Sequence, residues 1–289
     1  MTFEEKQSIL TKNLHEFCKR QNLAKQQKEL TVSELALLYS QSLSNPDHIS
    51  KEIKRFSSEI SATDQIIFLS EICRSSLSEK VKEMLFIGST EPTSAGAHSK
   101  ISYLKNRYND LAFDYFSHSV PNAKPDFASS FTECCENVFD GRCEYCILPI
   151  MNSNDGRLMS FYSLLDRYEL KICETVDIDG ENSSSTMKIA LIGRTCKLQT
   201  GRVQKNKKCV FEFSIIADNT DFFAFLFEGA NKIQARLNCI DSIPIEYTPH
   251  LQKFFFSFSL PHANNLIFRA FIALNHQSYT SIGIYKETE

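Results

Sequence analysis

The sequence contains little glycine and no tryptophan, and the shortage of glycine narrows the functions that can be expected. Only nine of its 289 residues are glycine, whereas glycine normally makes up about 7% of a protein. Glycine-rich phosphate loops are therefore not expected, and neither G-x-G-x-x-G nor the Walker A pattern occurs. Catalytic loops that require a positive φ angle or a close backbone approach also have few residues to use.

A large acidic or basic tail and a long apolar run are missing as well. The formal net charge is -3, and both signs are spread along the chain, so we expect neither a nucleic-acid nor a membrane partner. The first residues lack the features of a signal peptide, and no apolar run has the length of a bilayer span. Ten cysteines in such a chain are expected to be reduced thiols, which favours a cytoplasmic location.

Two local clusters could indicate ligand sites, but their patterns argue against it. Cys143 and Cys146 lie three positions apart at the start of the strand predicted over Tyr145–Ile150, and residues at that spacing on a strand point to opposite faces, which makes a poor zinc site. We therefore predict no metal and no cofactor. The basic segment Arg194 to Lys208 could contact a polyanion, but it has no aromatic residue to stack on bases, which favours a solvated linker.

The hydrophobic patterns predict an α+β protein with several domains. Residues 1–83 contain no glycine and are typical of a helical domain, with a first helix over Phe3–Glu29 and a capping box, Thr31 to Glu34, that starts a second helix. Residues 84–194 alternate strands with helices, and residues 195–208 form the basic linker. Within the first of these segments we predict strands over Met84–Gly88 and Tyr145–Ile150, and helices over Phe127–Phe139 and Phe161–Tyr168. Residues 209–289 follow the order β-α-β-β-α-β, which predicts a ferredoxin-like module.

The most informative segment is the end of one predicted strand, Leu148-Pro149-Ile150-Met151-Asn152-Ser153-Asn154-Asp155-Gly156. Such a strand delivers polar side chains and N–H groups to the edge of a sheet, where α/β folds bind ligands. The segment resembles the Pro-Ile-Glu-Asn-Ser signature of prephenate dehydratase, with Met151 in place of the glutamate. The spacing of further positions between Phe127 and Thr175 is also similar to that family.

The chain as a whole resembles the bacterial P-protein family, which joins a chorismate mutase domain, a prephenate dehydratase domain and a regulatory ACT domain. Asp241-Ser242-Ile243-Pro244 is similar to the Glu-Ser-Arg-Pro motif of that ACT domain, and Ile282-Gly283-Ile284-Tyr285 is similar to its last strand. The resemblance implies a degenerate mutase-like helical domain, a truncated α/β lobe like those of periplasmic binding proteins, and a C-terminal βαββαβ ACT domain.

The resemblance also implies candidate site residues. The substrate-binding positions that it suggests are Gly88, Thr93, Ser94, Asn152, Ser153 and Lys188. Arg20 and Glu79 would be remnants of a mutase site. Asp221, Phe222, Asp241 and Ser242 would bind an effector.

Departures from the family pattern favour a loss of catalysis. Met187-Lys188-Ile189 falls on the Thr-Arg-Phe motif, and Lys188 keeps the charge of the arginine without its bidentate fork. About a dozen residues stand where the family has a second lobe, and Phe3 or Glu4 stands where the first mutase helix has an arginine. We therefore predict a regulatory or scaffold protein related to L-phenylalanine biosynthesis, catalytically impaired and self-associating through its ACT domain.

The predicted ligand of this protein is an aromatic amino acid or prephenate. Two alternatives stay open at this point. One is an active but divergent dehydratase or mutase with substituted residues, and the other is a module that only binds a partner enzyme.

Overall fold

The computed structural model describes residues 3–41, 55, 59–74, 99–120, 122–180, 185–195, 208–248 and 250–286. It has two compact units, Met1–Gly88 with Leu266–Asn275, and Ser89–Asn265 with His276–Glu289. The domain boundaries expected at residues 83, 194 and 208 remain predictions. The strand expected at residues 84–88 lies outside the described residues, as do Glu79, Gly88, Thr93 and Ser94.

The first unit is helical where the structure describes it. It contains α1 (Phe3–Gln41), α2 (Ala62–Arg74) and, from later in the chain, α7 (Asn265–Asn275, of which Leu266–Asn275 belongs to this unit). The predicted break near residue 30 is wrong, because α1 continues through Thr31. The Thr31 hydroxyl donates to the Gln27 carbonyl at 3.0 Å, one turn earlier, and so does not cap a new helix.

Polar contacts fix the start of α2 against α1. Ser61 Oγ donates to Asp64 Oδ2 at 2.6 Å, and the Lys28 ammonium lies 2.5 Å from the same carboxylate oxygen. Near the other end of the chain, Asn275 Nδ2 donates to Gln65 Oε1 at 2.7 Å, which joins α7 to α2. The helical prediction for this region is confirmed for these described segments.

The second unit contains one ten-stranded sheet and the helices that accompany it. Its elements are β1 (Lys100–Leu104), α3 (Arg107–Phe116), β2 (Lys124–Ala128), α4 (Phe131–Phe139), β3 (Tyr145–Asn152), β4 (Gly156–Arg157), α5 (Met159–Arg167), β5 (Lys171–Asp179), β6 (Thr186–Gly193), β7 (Lys208–Ala217), α6 (Asp221–Lys232), β8 (Arg236–Pro244), β9 (Gln252–Pro261), a 3-10 turn (His262–Asn264) and β10 (Thr280–Lys286).

The strand order is β2-β1-β3-β6-β5-β10-β7-β9-β8, and β4 pairs with β3. The pairs β1/β2, β1/β3 and β5/β10 are parallel, and the other pairs are antiparallel. From Lys208 to Lys286 the elements follow the order β-α-β-β-α-β, as the sequence pattern predicts. Their four strands lie in the order β10-β7-β9-β8, which is the order of a ferredoxin-like sheet.

Strand β10 joins the two parts of this sheet. It pairs with β7 on one side and, at Gly283 opposite Ile172, with β5 on the other. A Cβ atom on Gly283 would lie 2.7 Å from Ile172 Cβ and 2.8 Å from the Ile172 carbonyl oxygen. Only glycine allows this approach without a shift of the backbone. One apolar core then runs from Cys146 and Leu148 on β3 to Val210 and Phe255 in the C-terminal part.

Candidate functional site at the sheet edge

The turn after β3 is built by the side chain of Asn152. Its Nδ2 donates to Asp155 Oδ2 at 2.9 Å, and its Oδ1 accepts the Asn154 N–H at 3.1 Å. Gly156 has a φ of 74°, which turns the chain into β4, and β4 then pairs back with Met151 and Asn152. The polar segment therefore forms an ordered turn at the carboxyl end of β3, as the sequence predicts.

Ser153 fastens this turn to the start of β6. Its N–H donates to the Thr186 carbonyl at 2.9 Å, and its Oγ accepts the Thr186 N–H at 2.9 Å. Thr186 Oγ1 donates in turn to Asp179 Oδ1 at 3.0 Å on β5. The Ser153 hydroxyl thus completes a backbone ladder, although the residue itself is exposed.

Lys188 lies on β6 between β3 and β5. It is in register with Met151 on one side and with Asp177 on the other. Its ammonium lies 3.2 Å from Asp177 Oδ2, and the two side chains are 25% and 36% exposed. The structure therefore brings Asn152, Ser153 and Lys188 to one edge of the sheet.

A short connection links the two strands behind this edge. β5 ends at Asp179 and β6 begins at Thr186, and these two residues face each other in the antiparallel register. The six residues 180–185 join them, and the Gly180 N–H donates to the Ser185 carbonyl at 2.7 Å. β5 and β6 therefore form a hairpin.

Glu174 is a titratable residue in this region that is not among the substrate-binding candidates predicted from the sequence. One carboxylate oxygen accepts from Ser119 Oγ at 3.2 Å, and the other is buried without a hydrogen-bond partner among the described residues. Burial raises the pKa of Glu174, and the Ser119 hydrogen bond offsets part of that rise. Glu174 faces Leu191 in the register, whereas the site carboxylate Asp177 faces Lys188 farther along β5.

The described candidates for the mutase site and the effector site lie on three different elements, α1, α6 and β8. Arg20 is exposed on α1. Asp221 begins α6, and its N–H donates to Asn219 Oδ1 at 3.0 Å, while the Phe222 ring lies 5.1 Å from the His276 ring. Ser242 is exposed on β8. Asp241, its neighbour, has a partner that the sequence did not suggest.

That partner is Arg157, the centre of a buried ionic network. Its guanidinium donates to Asp241 Oδ2 at 3.0 Å, to the Phe255 carbonyl at 3.3 Å and to Glu212 Oε1 at 3.4 Å. It also lies over the Tyr162 ring, 4.6 Å from the ring centroid. The Arg157 side chain is only 2% exposed, so this charge depends on its partners.

Two tyrosines complete the network around Glu212. Tyr162 OH donates to Glu212 Oε2 and Tyr285 OH donates to Oε1, each at 2.8 Å. Burial raises the pKa of Tyr162 and of Tyr285, and the adjacent Glu212 carboxylate raises both further. Burial has the largest effect on Arg157 and lowers its pKa, but the neighbouring acidic groups, Glu212 foremost, together outweigh burial, and the pKa lies above its ordinary value.

This network was not predicted from the sequence, although the position of Glu212 could have indicated it. Glu212 is the one charged residue in the largely apolar run Cys209 to Ile216, which predicts a buried strand. A carboxylate inside such a strand requires a cation or several donors. The identity of the cation could not be read from the sequence, because Arg157 lies 55 positions away.

The sequence predicts that the clustered cysteines hold no metal and that no segment spans a membrane. Cys134, Cys135, Cys143 and Cys146 are buried in the core, and burial raises the pKa of Cys134 to about 12. In the described ranges, no three or more His, Cys, Asp and Glu side chains are grouped as a metal would require. No described helix is long and apolar enough to cross a bilayer.

The central region of the chain is similar to a known protein family. Residues 104–180 match the prephenate dehydratase family model. This segment runs from the end of β1 to the end of β5 and includes the ordered turn at the edge of the sheet. It covers well under half of the chain, so the region is prephenate dehydratase-like. The chorismate mutase and ACT parts of the resemblance remain predictions.

Solved structures support the same fold. The prephenate dehydratase from Streptococcus mutans is 16% identical, with a TM-score of 0.53, over 65% of this chain and 98% of that one. The Arthrobacter aurescens prephenate dehydratase, solved in complex with L-Phe, is 13% identical, with a TM-score of 0.51, over 65% and 90%. GqqA, described as a novel type of quorum quenching acylase, is 18% identical, with a TM-score of 0.51, over 65% and 95%. No curated protein matches the sequence significantly.

Proposed function

We propose that this prephenate dehydratase-like protein is related to L-phenylalanine biosynthesis and acts as a regulatory or scaffold protein without dehydratase activity. The observation that carries this proposal is the β5–β6 hairpin, with Asp179 opposite Thr186. In the family that the chain resembles, a second lobe lies between these strands. A six-residue connection cannot supply a lobe that closes over substrate and excludes water.

The polar groups at the sheet edge support the same proposal. Dehydration of prephenate with loss of carbon dioxide requires a proton donor for the hydroxyl and cationic or N–H groups for two carboxylates. Here the Lys188 ammonium is paired with Asp177, and the Ser153 hydroxyl accepts the Thr186 N–H. The Asn152 amide holds its own turn. The described groups of the candidate site are thus committed to one another.

The proposal is tested by incubating the purified protein with prephenate or chorismate and following the ultraviolet absorbance of each against a protein-free blank. We expect no loss of substrate above the blank. Turnover at ordinary enzyme rates, about 1–1000 per second, would establish the alternative of an active, divergent enzyme. In that case Lys188→Met, compared with Lys171→Met at the start of β5, would show whether the sheet edge is the active site.

We further propose an aromatic amino acid as the regulatory ligand, because the similar Arthrobacter structure contains L-Phe. A ligand that binds only the native state adds about 2.7 kcal/mol of stability at a hundredfold excess over its Kd. Thermal-shift titrations with L-phenylalanine, L-tyrosine and prephenate therefore report binding. A flat melting temperature at millimolar concentrations of all three would favour a pure interaction module.

Self-association through the C-terminal part belongs to the same proposal. β8 is an edge strand, since it pairs with β9 alone among the described strands, and its residues are half-buried or exposed. Such an edge can pair with a second copy. Light scattering coupled to size-exclusion chromatography should give a dimer, and Ser242→Lys, at an exposed position of β8, should weaken it. A monomer at micromolar concentration would contradict this part.

A further inference from the structure

The turn from Asn152 to Gly156, the sheet-edge turn, is held in place by a second set of contacts besides those that it makes with β6. The strand that follows it, β4, consists of Gly156 and Arg157 alone and, among the described strands, pairs only with the end of β3. A two-residue strand has too few backbone hydrogen bonds to hold its position independently. The Arg157 side chain adds further contacts, and its hydrogen-bond acceptors among the described residues lie on β7, β8 and β9.

The two carboxylates that hold Arg157 differ in exposure. Glu212 is 5% exposed and receives both tyrosine hydroxyls, so it is a fixed part of the core. Asp241 is 32% exposed and makes the shorter contact with the guanidinium, 3.0 Å against 3.4 Å. Asp241 is therefore the one carboxylate of the pair that solvent or another molecule can reach.

We propose that Arg157 is a positioning residue that makes the sheet-edge turn, Asn152 to Gly156, responsive to the state of Asp241 on β8. When Asp241 is withdrawn, Arg157 keeps Glu212 but loses the shorter of its two ionic contacts. The guanidinium then moves toward Glu212, and β4 loses its fixed place beside Met151 and Asn152. A cationic group that binds at Asp241 acts in the same way, because it competes with Arg157 for one carboxylate oxygen.

This coupling joins two positions that the sequence suggested separately as substrate and effector sites. It does not depend on the proposed regulatory function, since it concerns the order of the turn whether or not the protein turns over prephenate. The order of the turn is measurable because specific amides in it are hydrogen-bonded. Ser153 N–H donates to the Thr186 carbonyl and Leu158 N–H donates to the Ile150 carbonyl, each at 2.9 Å.

Amide hydrogen exchange of the full chain tests the inference with a matched pair of variants. Asp241→Asn removes one of the two charges that hold Arg157, the more exposed one. Asp166→Asn removes a different ion pair, between Asp166 on α5 and Lys253 on β9, and the Asp166 side chain is 35% exposed. The two aspartates are thus nearly equal in exposure, but only Asp241 contacts Arg157.

We expect Asp241→Asn to speed exchange at Ser153 and Leu158 by about tenfold to a hundredfold, as the loss of one charge-assisted hydrogen bond implies. Asp166→Asn should leave these two amides unchanged. In Arg157→Lys, which keeps the charge but loses the fork, exchange should already be raised, and adding Asp241→Asn should change it much less than in the wild type.

Equal exchange at these amides in the wild type and Asp241→Asn would overturn the inference. So would an equal increase in both aspartate variants, since that would be a general loss of stability. Global unfolding in denaturant, measured on the same samples, separates the two cases. An Asp241→Asn effect that persists in full in Arg157→Lys would show that Asp241 acts through some other residue, and would overturn it as well.

Discussion

Removing the guanidinium of Arg157 should be among the most destabilising single changes in the second unit. In Arg157→Met, the Glu212 carboxylate stays buried at 5% exposure, with two tyrosine hydroxyls but no cation. Breaking a buried ion pair by removing one partner costs about 3–5 kcal/mol. Since small domains are stable by only about 5–15 kcal/mol, the loss should be plain in a urea titration.

A double variant separates the effect of the lost charge on stability from the effect of the lost packing. Glu212→Gln in the Arg157→Met background removes the stranded carboxylate, so we expect it to recover part of the loss, about 1–3 kcal/mol of coupling. Lys253→Met serves as the control, because its pair with the half-exposed Asp166 should contribute about 0–1 kcal/mol. If Arg157→Met costs no more than that control, with an unchanged urea slope, the reasoning about a buried charge is refuted.

Three further predictions use other features of the second unit. Because the folded pKa of Glu174 is raised, its contribution to stability is full below its ordinary pKa and is lost as the pH rises through the raised value. Glu174→Gln should therefore stabilise the protein at neutral pH but not near about pH 4, and urea midpoints that shift equally at both would contradict this. Gly283→Ala should cost roughly 1–3 kcal/mol by crowding the Ile172 backbone, whereas Ser281→Ala should be mild; equal melting temperatures would count against the close approach. In the native protein Cys18, which is exposed, should react with a thiol reagent, whereas Cys134 should react only in denaturant, as mass spectrometry of labelled peptides would show.

In the second unit, the predicted helices and strands agree well with the structure where the spacing of apolar residues stays the same along the whole element. The strand predicted over Tyr145–Ile150 is observed over Tyr145–Asn152, and the helix predicted over Phe161–Tyr168 is observed over Met159–Arg167. The helix expected over Phe127–Phe139 begins only at Phe131. The polar pair Ser129 and Ser130 separates it from β2, since Ser130 caps α4 by accepting the Glu133 N–H.

What the sequence could not provide is the pairing of distant segments. Ile172 and Gly283 carry no local sign that they face each other, and the close approach is visible only when both strands are placed. The same holds for Arg157, whose neighbours Gly156 and Leu158 suggest only a turn. The candidate edge was found because the signature residues Asn152 and Ser153 are adjacent in the chain, and Lys188 was reached through the family resemblance rather than through periodicity.

The position of β10 has a consequence for synthesis of the chain. β5 ends at Asp179, but the strand that covers its open side begins at Thr280, the last strand that the structure describes. At translation rates of about 5–20 residues per second, the ribosome needs on the order of ten seconds to reach it. During that interval the β5 edge is a free template for other strands, so the nascent protein should rely on chaperones until β10 emerges.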